Sequence, residues 1–285
     1  MLHVAAAHTA HFPTGSTPAT MVELVVWQSI VIAVMLATGF GVSAYRLFTI
    51  PREPYRVQVP QVPKNIPLLV FRIAIFSFFL VVFLIRMAQT NLDDLFYYTY
   101  WNFTIQTIYV GWAIVYQIQI WFQPKPVHAN GWLNATFDVA FTSCAVVVSV
   151  YWFVLYKPTA IVPWTTYVVH GVNLILLLIE FAFNEHLVQR NNMKFVIMWP
   201  ALYGSVTWIT MATGLNDKWP YDLLDVTKPY APLKWFGIVF SHAVFFGAVL
   251  LLSLLKVRIV GEPAPAVECA KNDKVTIQVV PNSFV

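Results

Sequence analysis

The chain has 285 residues, of which 59% are hydrophobic and only 11% charged, and it contains 22 Phe, 13 Tyr and 11 Trp. Soluble globular domains carry roughly 25% charged residues, so this composition excludes an ordinary water-soluble domain and points to a chain whose solvent is lipid. The net charge of +4 is small and forms no basic stripe that would track a nucleic-acid backbone, and two cysteines, Cys144 and Cys269, supply neither a disulfide framework nor a thiolate metal site.

Residues 1–22 form an N-terminal segment with no Lys or Arg, unlike the charged start of a signal peptide, so the apolar run that follows reads as a retained span. Seven apolar runs follow in order: Glu23–Tyr45, Pro67–Ile85, Tyr97–Ile120, Asp138–Tyr156, Val162–Asn184, Phe195–Thr213 and Trp235–Leu255. Each has the length for a helix across a hydrocarbon layer of ~30 Å, and none shows the alternating ten-residue pattern of a transmembrane barrel. The sequence therefore predicts an all-α integral membrane protein with seven transmembrane helices. Residues 23–45 form a first helix, 46–66 a Pro-rich linker, 67–258 a six-helix membrane core and 259–285 a polar tail suited to mobility or to a partner.

Orientation follows from Lys and Arg. With the N-terminus outside or lumenal, the cytoplasmic stretches collect Arg46, Arg52, Arg56, Lys64, Arg72, Lys125, Arg190, Lys194, Lys256 and Arg258. The outside stretches hold Arg86, Lys157, Lys218, Lys228 and Lys234. The positive-inside rule then favours a cytoplasmic C-terminus. The very short connection KPTAIVP makes the fourth and fifth spans antiparallel neighbours.

Ionisable and amide side chains inside such runs are costly in lipid and face protein or a water-filled cavity. On the third span, Thr99, Asn102, Gln106, Tyr109 and Gln117 fall on one helical face; the fifth carries His170, Asn173, Glu180 and Asn184. Both spans enter from the same side, so Thr99 and His170 can meet beneath one surface. A threonine hydroxyl needs a base to become a nucleophile, and histidine has the pKa for that role. A carboxyl ester on a long-chain lipid is the natural substrate at such a depth. The plainer account is that Thr99 bonds a backbone carbonyl and that Glu180 pairs with a polar group on another helix. Beyond the sixth span, Asp217, Trp219 and Tyr221 follow Gly214, as orienting groups for His170 or as an interfacial, solvated loop.

Three stretches, LFYYTYWNFTIQ, HGVNLILLLIE and ATGLNDKWPYDLLD, resemble in order the landmarks of the androgen-induced protein 1 / FAR-17a-like family of multi-span membrane proteins, which includes the androgen-dependent TFPI-regulating protein. The family's Thr-x-x-Asp-x-x-x-Gln pattern falls on Thr99 and Gln106, with Asn102 in place of the aspartate. Its histidine ten residues before a glutamate falls on His170 and Glu180. Its Thr-Gly-x-Trp-x-Tyr-Pro pattern matches Thr213 and Gly214, with an insertion displacing the aromatic part to Trp219, Pro220 and Tyr221.

The resemblance covers about Pro67 to Arg258 and implies hydrolysis of fatty acid esters of hydroxy fatty acids by a Thr99/His170 pair, with no cofactor or metal, in the endoplasmic reticulum or plasma membrane. The substrate-pocket and orienting candidates are then Asn102, Gln106, Asn173, Glu180, Asp217, Trp219 and Tyr221, with Asn102, Asn173 or Tyr167 as oxyanion donors. The partners implied are membrane lipids and a long-chain acyl ester, with no nucleic acid. A similarity to the rolling stone branch, and the added first helix and tail, also fit a non-catalytic membrane protein or an accessory subunit. Two weaker readings are a retinal pigment, for which Lys234 and Lys256 only bracket the last span, and haem ligation by His170 and His242.

Overall fold

The computed structural model describes residues 18–49, 56–57, 65–122, 128–159, 161–261, 264–265 and 267–268. Arg52, Lys64, Lys125, Cys269 and most of the linker and tail lie outside the described residues.

Seven long helices make up the described chain: α1 Pro18–Thr49, α2 Ile66–Thr90, α3 Tyr98–Trp121, α4 Gly131–Leu155, α5 Trp164–Phe183, α6 Met193–Ala212 and α7 Ala231–Val260. Among the described residues, six of them are long and apolar enough to cross a membrane. The other, α3, is 24 residues long and carries Thr99, Asn102, Gln106 and Gln117 turned into the bundle, which dilutes its apolar character without exposing a polar face to lipid. The helices present a coat of exposed apolar side chains, such as Phe48, Phe153 and Leu251 at 84%, 87% and 67% exposure. In water that coat would drive association; in hydrocarbon it is the expected exterior.

Helix ends follow local chemistry. The Asn65 side chain accepts from the Leu68 N–H at 3.1 Å and Pro67 occupies the first turn of α2, where its missing N–H costs nothing. Asn130 likewise accepts from the N–H groups of Trp132 and Leu133, so α4 begins at Gly131, seven residues before the boundary expected at Asp138. Asp138 marks no helix end: it is fully buried and accepts from Asn192 Nδ2 at 2.7 Å and the Gln189 N–H at 3.1 Å, tying α4 to the α5–α6 connection. Gln28 of α1 accepts from the Ala231 N–H at 3.0 Å and donates to the Val226 carbonyl at 3.1 Å, capping the start of α7.

In the packing, α3 lies between α2 and α4, α4 touches α3, α5, α6 and α7, and α1 packs on α6 and α7. Two close approaches require glycine. A Cβ on Gly204 would stand 2.7 Å from the Trp235 ring, and one on Gly111 2.9 Å from Phe76, which lets α6 meet α7 and α3 meet α2. Short backbone pairings join Arg56–Val57 to Ala264–Pro265 and His128–Ala129 to Val267–Glu268, bringing the start of the tail beside the linker and the α3–α4 connection.

The strongest polar tie is internal. Arg72 Nη2 stands 2.6 Å from Glu180 Oε1, and Arg72 Nη1 donates to Gln117 Oε1 at 2.8 Å. The Tyr109 hydroxyl donates to Glu180 Oε1 at 2.9 Å. Lys256 Nζ reaches the carbonyls of Phe181 and Asn184, each at 2.6 Å, where a cation suits the end of α5. Arg72 and Lys256 are thus bound inside the bundle and are not cytoplasmic flanking charges.

Removing one partner of a buried ion pair strands the other charge, at a cost of about 3 to 5 kcal/mol. Arg72→Leu is therefore expected to lower the melting temperature in mild detergent substantially, and adding Glu180→Leu should recover most of that loss. Thermal unfolding of both variants checks this; a double variant no better than the single would show that the carboxylate is not the stranded group.

Candidate active site

The site is assembled at the end of the bundle where the α2–α3, α4–α5 and α6–α7 connections lie. A narrow, largely apolar cavity of about 70 Å³ opens there. Both Thr99, in the first turn of α3, and His170, six residues into α5, line it, so the two side chains lie on the same side of the bundle. At helical rise His170 stands about 9 Å below the start of α5. Leu36 of α1 closes part of the wall, so the first helix belongs to the cavity as well as to the bundle.

Thr99 is 6% exposed, and both its N–H and its Oγ1 lie 3.5 Å from the Tyr221 hydroxyl. Tyr221 reaches this position because the α6–α7 connection folds back over the cavity mouth, where Trp219 packs edge-on to Trp235 with centroids 6.4 Å apart. Burial pushes the Tyr221 phenol up to about 12. Asp217 is exposed on the same connection and lies off the cavity wall.

His170 sits in a π-wound turn, Val168–Val172, with φ −123° and ψ 22°. The facing end of α4 is π-wound too, over Tyr151–Leu155. The two irregular turns interlock: the His170 ring stacks on Tyr151 with centroids 3.7 Å apart, and the Trp152 indole N–H donates to the His170 carbonyl at 2.5 Å. His170 Nδ1 is buried without a hydrogen-bond partner. Thr99 and His170 share the cavity, but the near neighbour of the threonine hydroxyl is Tyr221 and that of the imidazole is Tyr151.

The other candidates sit deeper. Asn102 is wholly buried with neither amide atom hydrogen-bonded. Gln106 Oε1 accepts from Asn173 Nδ2 at 3.3 Å, and Asn173 also donates to the Val169 carbonyl. Glu180 belongs to the Arg72 pair. None of these four lines the cavity, and Tyr167, 49% exposed, lies on the outer surface.

A buried relay had no direct sequence signal. The His242 Nδ1 stands 2.8 Å from the Ile238 carbonyl, which assigns the proton to Nδ1 and leaves Nε2 to accept from the Tyr98 hydroxyl at 2.8 Å. Ser143 Oγ lies 3.2 Å from the same hydroxyl. Both ring nitrogens of His242 are thereby engaged, leaving none free for haem. The only hint in the sequence was an ionisable residue within the last span, which does not identify its partner.

Comparison with protein-family models, with curated protein sequences and with solved structures gives no match.

The Tyr221 phenol yields a pH dependence. The folded state holds this proton more tightly than an unfolded chain, whose phenol titrates near 10, so the stabilisation is complete below pH 10 and is lost as pH rises through about 12. Melting temperature should fall more steeply over that interval in the native chain than in Tyr221→Phe; parallel curves would contradict this.

Proposed function

We propose that this chain is an intramembrane lipid esterase of the androgen-induced protein 1 / FAR-17a-like type, in which Thr99 is the nucleophile and His170 the base. The observation that carries the reading is that both residues line one apolar cavity in a chain built for a membrane. Thr99 Oγ1 attacks the ester carbonyl as His170 takes its proton. Collapse of the tetrahedral adduct breaks the carbonyl–oxygen bond, and His170 returns the proton to the departing alcohol. Water then adds to the acyl-threonine with His170 as base, releasing the fatty acid and restoring the hydroxyl.

Tyr221, 3.5 Å from both Thr99 N and Oγ1, is the nearest donor to developing charge on the adduct. The membrane is that of the endoplasmic reticulum or the cell surface, with the N-terminus outside or lumenal.

A second reading has its own support. The close stacking of His170 on Tyr151 and the bond from Trp152 to its carbonyl fit a packing residue, and hence a non-catalytic membrane protein or accessory subunit whose cavity holds lipid.

Turnover of long-chain fatty acyl esters by the purified chain separates the two. Thr99→Ala and His170→Ala are each expected to reduce it by about a hundredfold or more, since a positioned base contributes on that scale. Undiminished turnover in both variants would remove the mechanism.

A further inference from the structure

The helix that carries Thr99 begins without a cap of its own. Asn65 and Asn130 cap α2 and α4 through their side chains, but Tyr97, at the N-cap of α3, makes no side-chain capping bond. Four successive side chains hold the start of α3 instead, each to a different part of the bundle. The Tyr98 hydroxyl meets His242 Nε2 of α7 at 2.8 Å and Ser143 Oγ of α4 at 3.2 Å. Thr99 meets the Tyr221 hydroxyl on the α6–α7 connection. The Tyr100 hydroxyl accepts from Arg86 Nε of α2 at 3.0 Å, and the Trp101 indole N–H donates to the Leu95 carbonyl at 2.8 Å.

Of the four, only the Tyr98 anchor joins α3 to two other membrane helices in the bundle interior, where His242 and Ser143 are both wholly buried. A hydrogen bond in such surroundings is stronger than one exposed to water. The Thr99 contact, at 3.5 Å, is long for a hydrogen bond, so the threonine hydroxyl is placed chiefly by the backbone on either side of it. Tyr98 is the residue next to it. The His242 ring is itself fixed: Nδ1 is held by the Ile238 carbonyl at 2.8 Å, and the ring stands edge-on to Tyr98 with centroids 5.6 Å apart. Neither His242 nor Ser143 lines the cavity.

We propose that His242 is a positioning residue for Thr99. Through the Tyr98 hydroxyl it fixes the first turn of α3, and with it the place of the threonine hydroxyl on the cavity wall, without touching the reacting atoms. Its catalytic meaning rests on the esterase reading, whereas the anchoring is a property of the fold. A nucleophile displaced by about 1 Å loses on the order of a hundredfold in rate, so a residue remote from the chemistry can matter this much.

Tyr98→Phe keeps the ring on Tyr203 and removes one oxygen, and His242→Leu removes the acceptor. His242→Gln offers an amide oxygen near the place of Nε2. Hydrogen exchange of the full chain in mild detergent, read by mass spectrometry over Asn102 to Gln106, is expected to quicken about tenfold in the Phe and Leu variants. The double variant should be no faster than either single one, and exchange around Arg72 and Glu180 should be unchanged. On long-chain acyl esters both single variants should lose at least about tenfold in kcat with KM within about twofold, non-additively, and His242→Gln should regain most of the loss. Exchange at the start of α3 unmoved in both single variants, additive effects of Tyr98→Phe and His242→Leu, or a Gln variant no better than the Leu one would overturn the positioning role. Lowered melting temperature with kcat unmoved would do the same, as the mark of a merely structural contact. The expected exchange pattern in a chain that hydrolyses no ester would leave the anchoring standing and remove the esterase reading.

Discussion

The ion pair between Arg72 and Glu180 decides how the rest of the bundle is arranged. A guanidinium and a carboxylate within an apolar helix layer are tolerable only if each satisfies the other and their remaining valences are filled. Arg72 does so with Gln117 as well as Glu180, and Glu180 with Tyr109 as well as Arg72. Four side chains from α2, α3 and α5 are thereby fixed in one register. Lys256 adds α7 through the carbonyls at the end of α5. The opposite ends of α3, α5 and α7 contribute Thr99, His170 and Trp235 to the cavity wall.

The inward face of α3 shows the consequence. Thr99, Asn102, Gln106, Tyr109 and Gln117 are all buried along it, from the cavity wall at one end to the ion pair at the other. Their circumstances differ. Tyr109 and Gln117 are fully engaged, and Thr99 meets Tyr221. Between them Asn102 has no hydrogen bond and Gln106 Nε2 none either. A buried amide without a partner costs on the order of 1–3 kcal/mol, and this middle stretch lies directly below the proposed nucleophile.

Much of the architecture was legible because lipid imposes a simple rule: an apolar run of sufficient length is a helix. The face of α3 was readable for the same reason, since 100° per residue placed Thr99, Gln106 and Gln117 together. Asp138 misled because a carboxylate in an apolar run reads as a boundary until its partners are known, and those partners, Asn192 and the Gln189 N–H, lie some fifty residues away. The fates of Arg72 and Lys256 were hidden likewise, because a charge near a helix end can point to water or to another helix. Nothing in VVHGV or YWFVL signals a π turn, and the packing of Tyr203 on Tyr98 and Trp101 arises only when α3 and α6 come together.

Those two π turns bear most directly on what the site can do. In a regular helix the His170 carbonyl would be held within its own segment; here the wider turn leaves it to accept from Trp152, whose own turn is widened in the same way. Each irregularity supplies what the other needs, so neither is free to relax alone, and π turns recur at functional sites. The lock fixes the imidazole by its backbone and by its stacked face, while Nδ1 remains unpartnered. That unpaired buried nitrogen is a cost that a leucine at this position would avoid. The imidazole is thereby held rigidly on the wall of an apolar cavity.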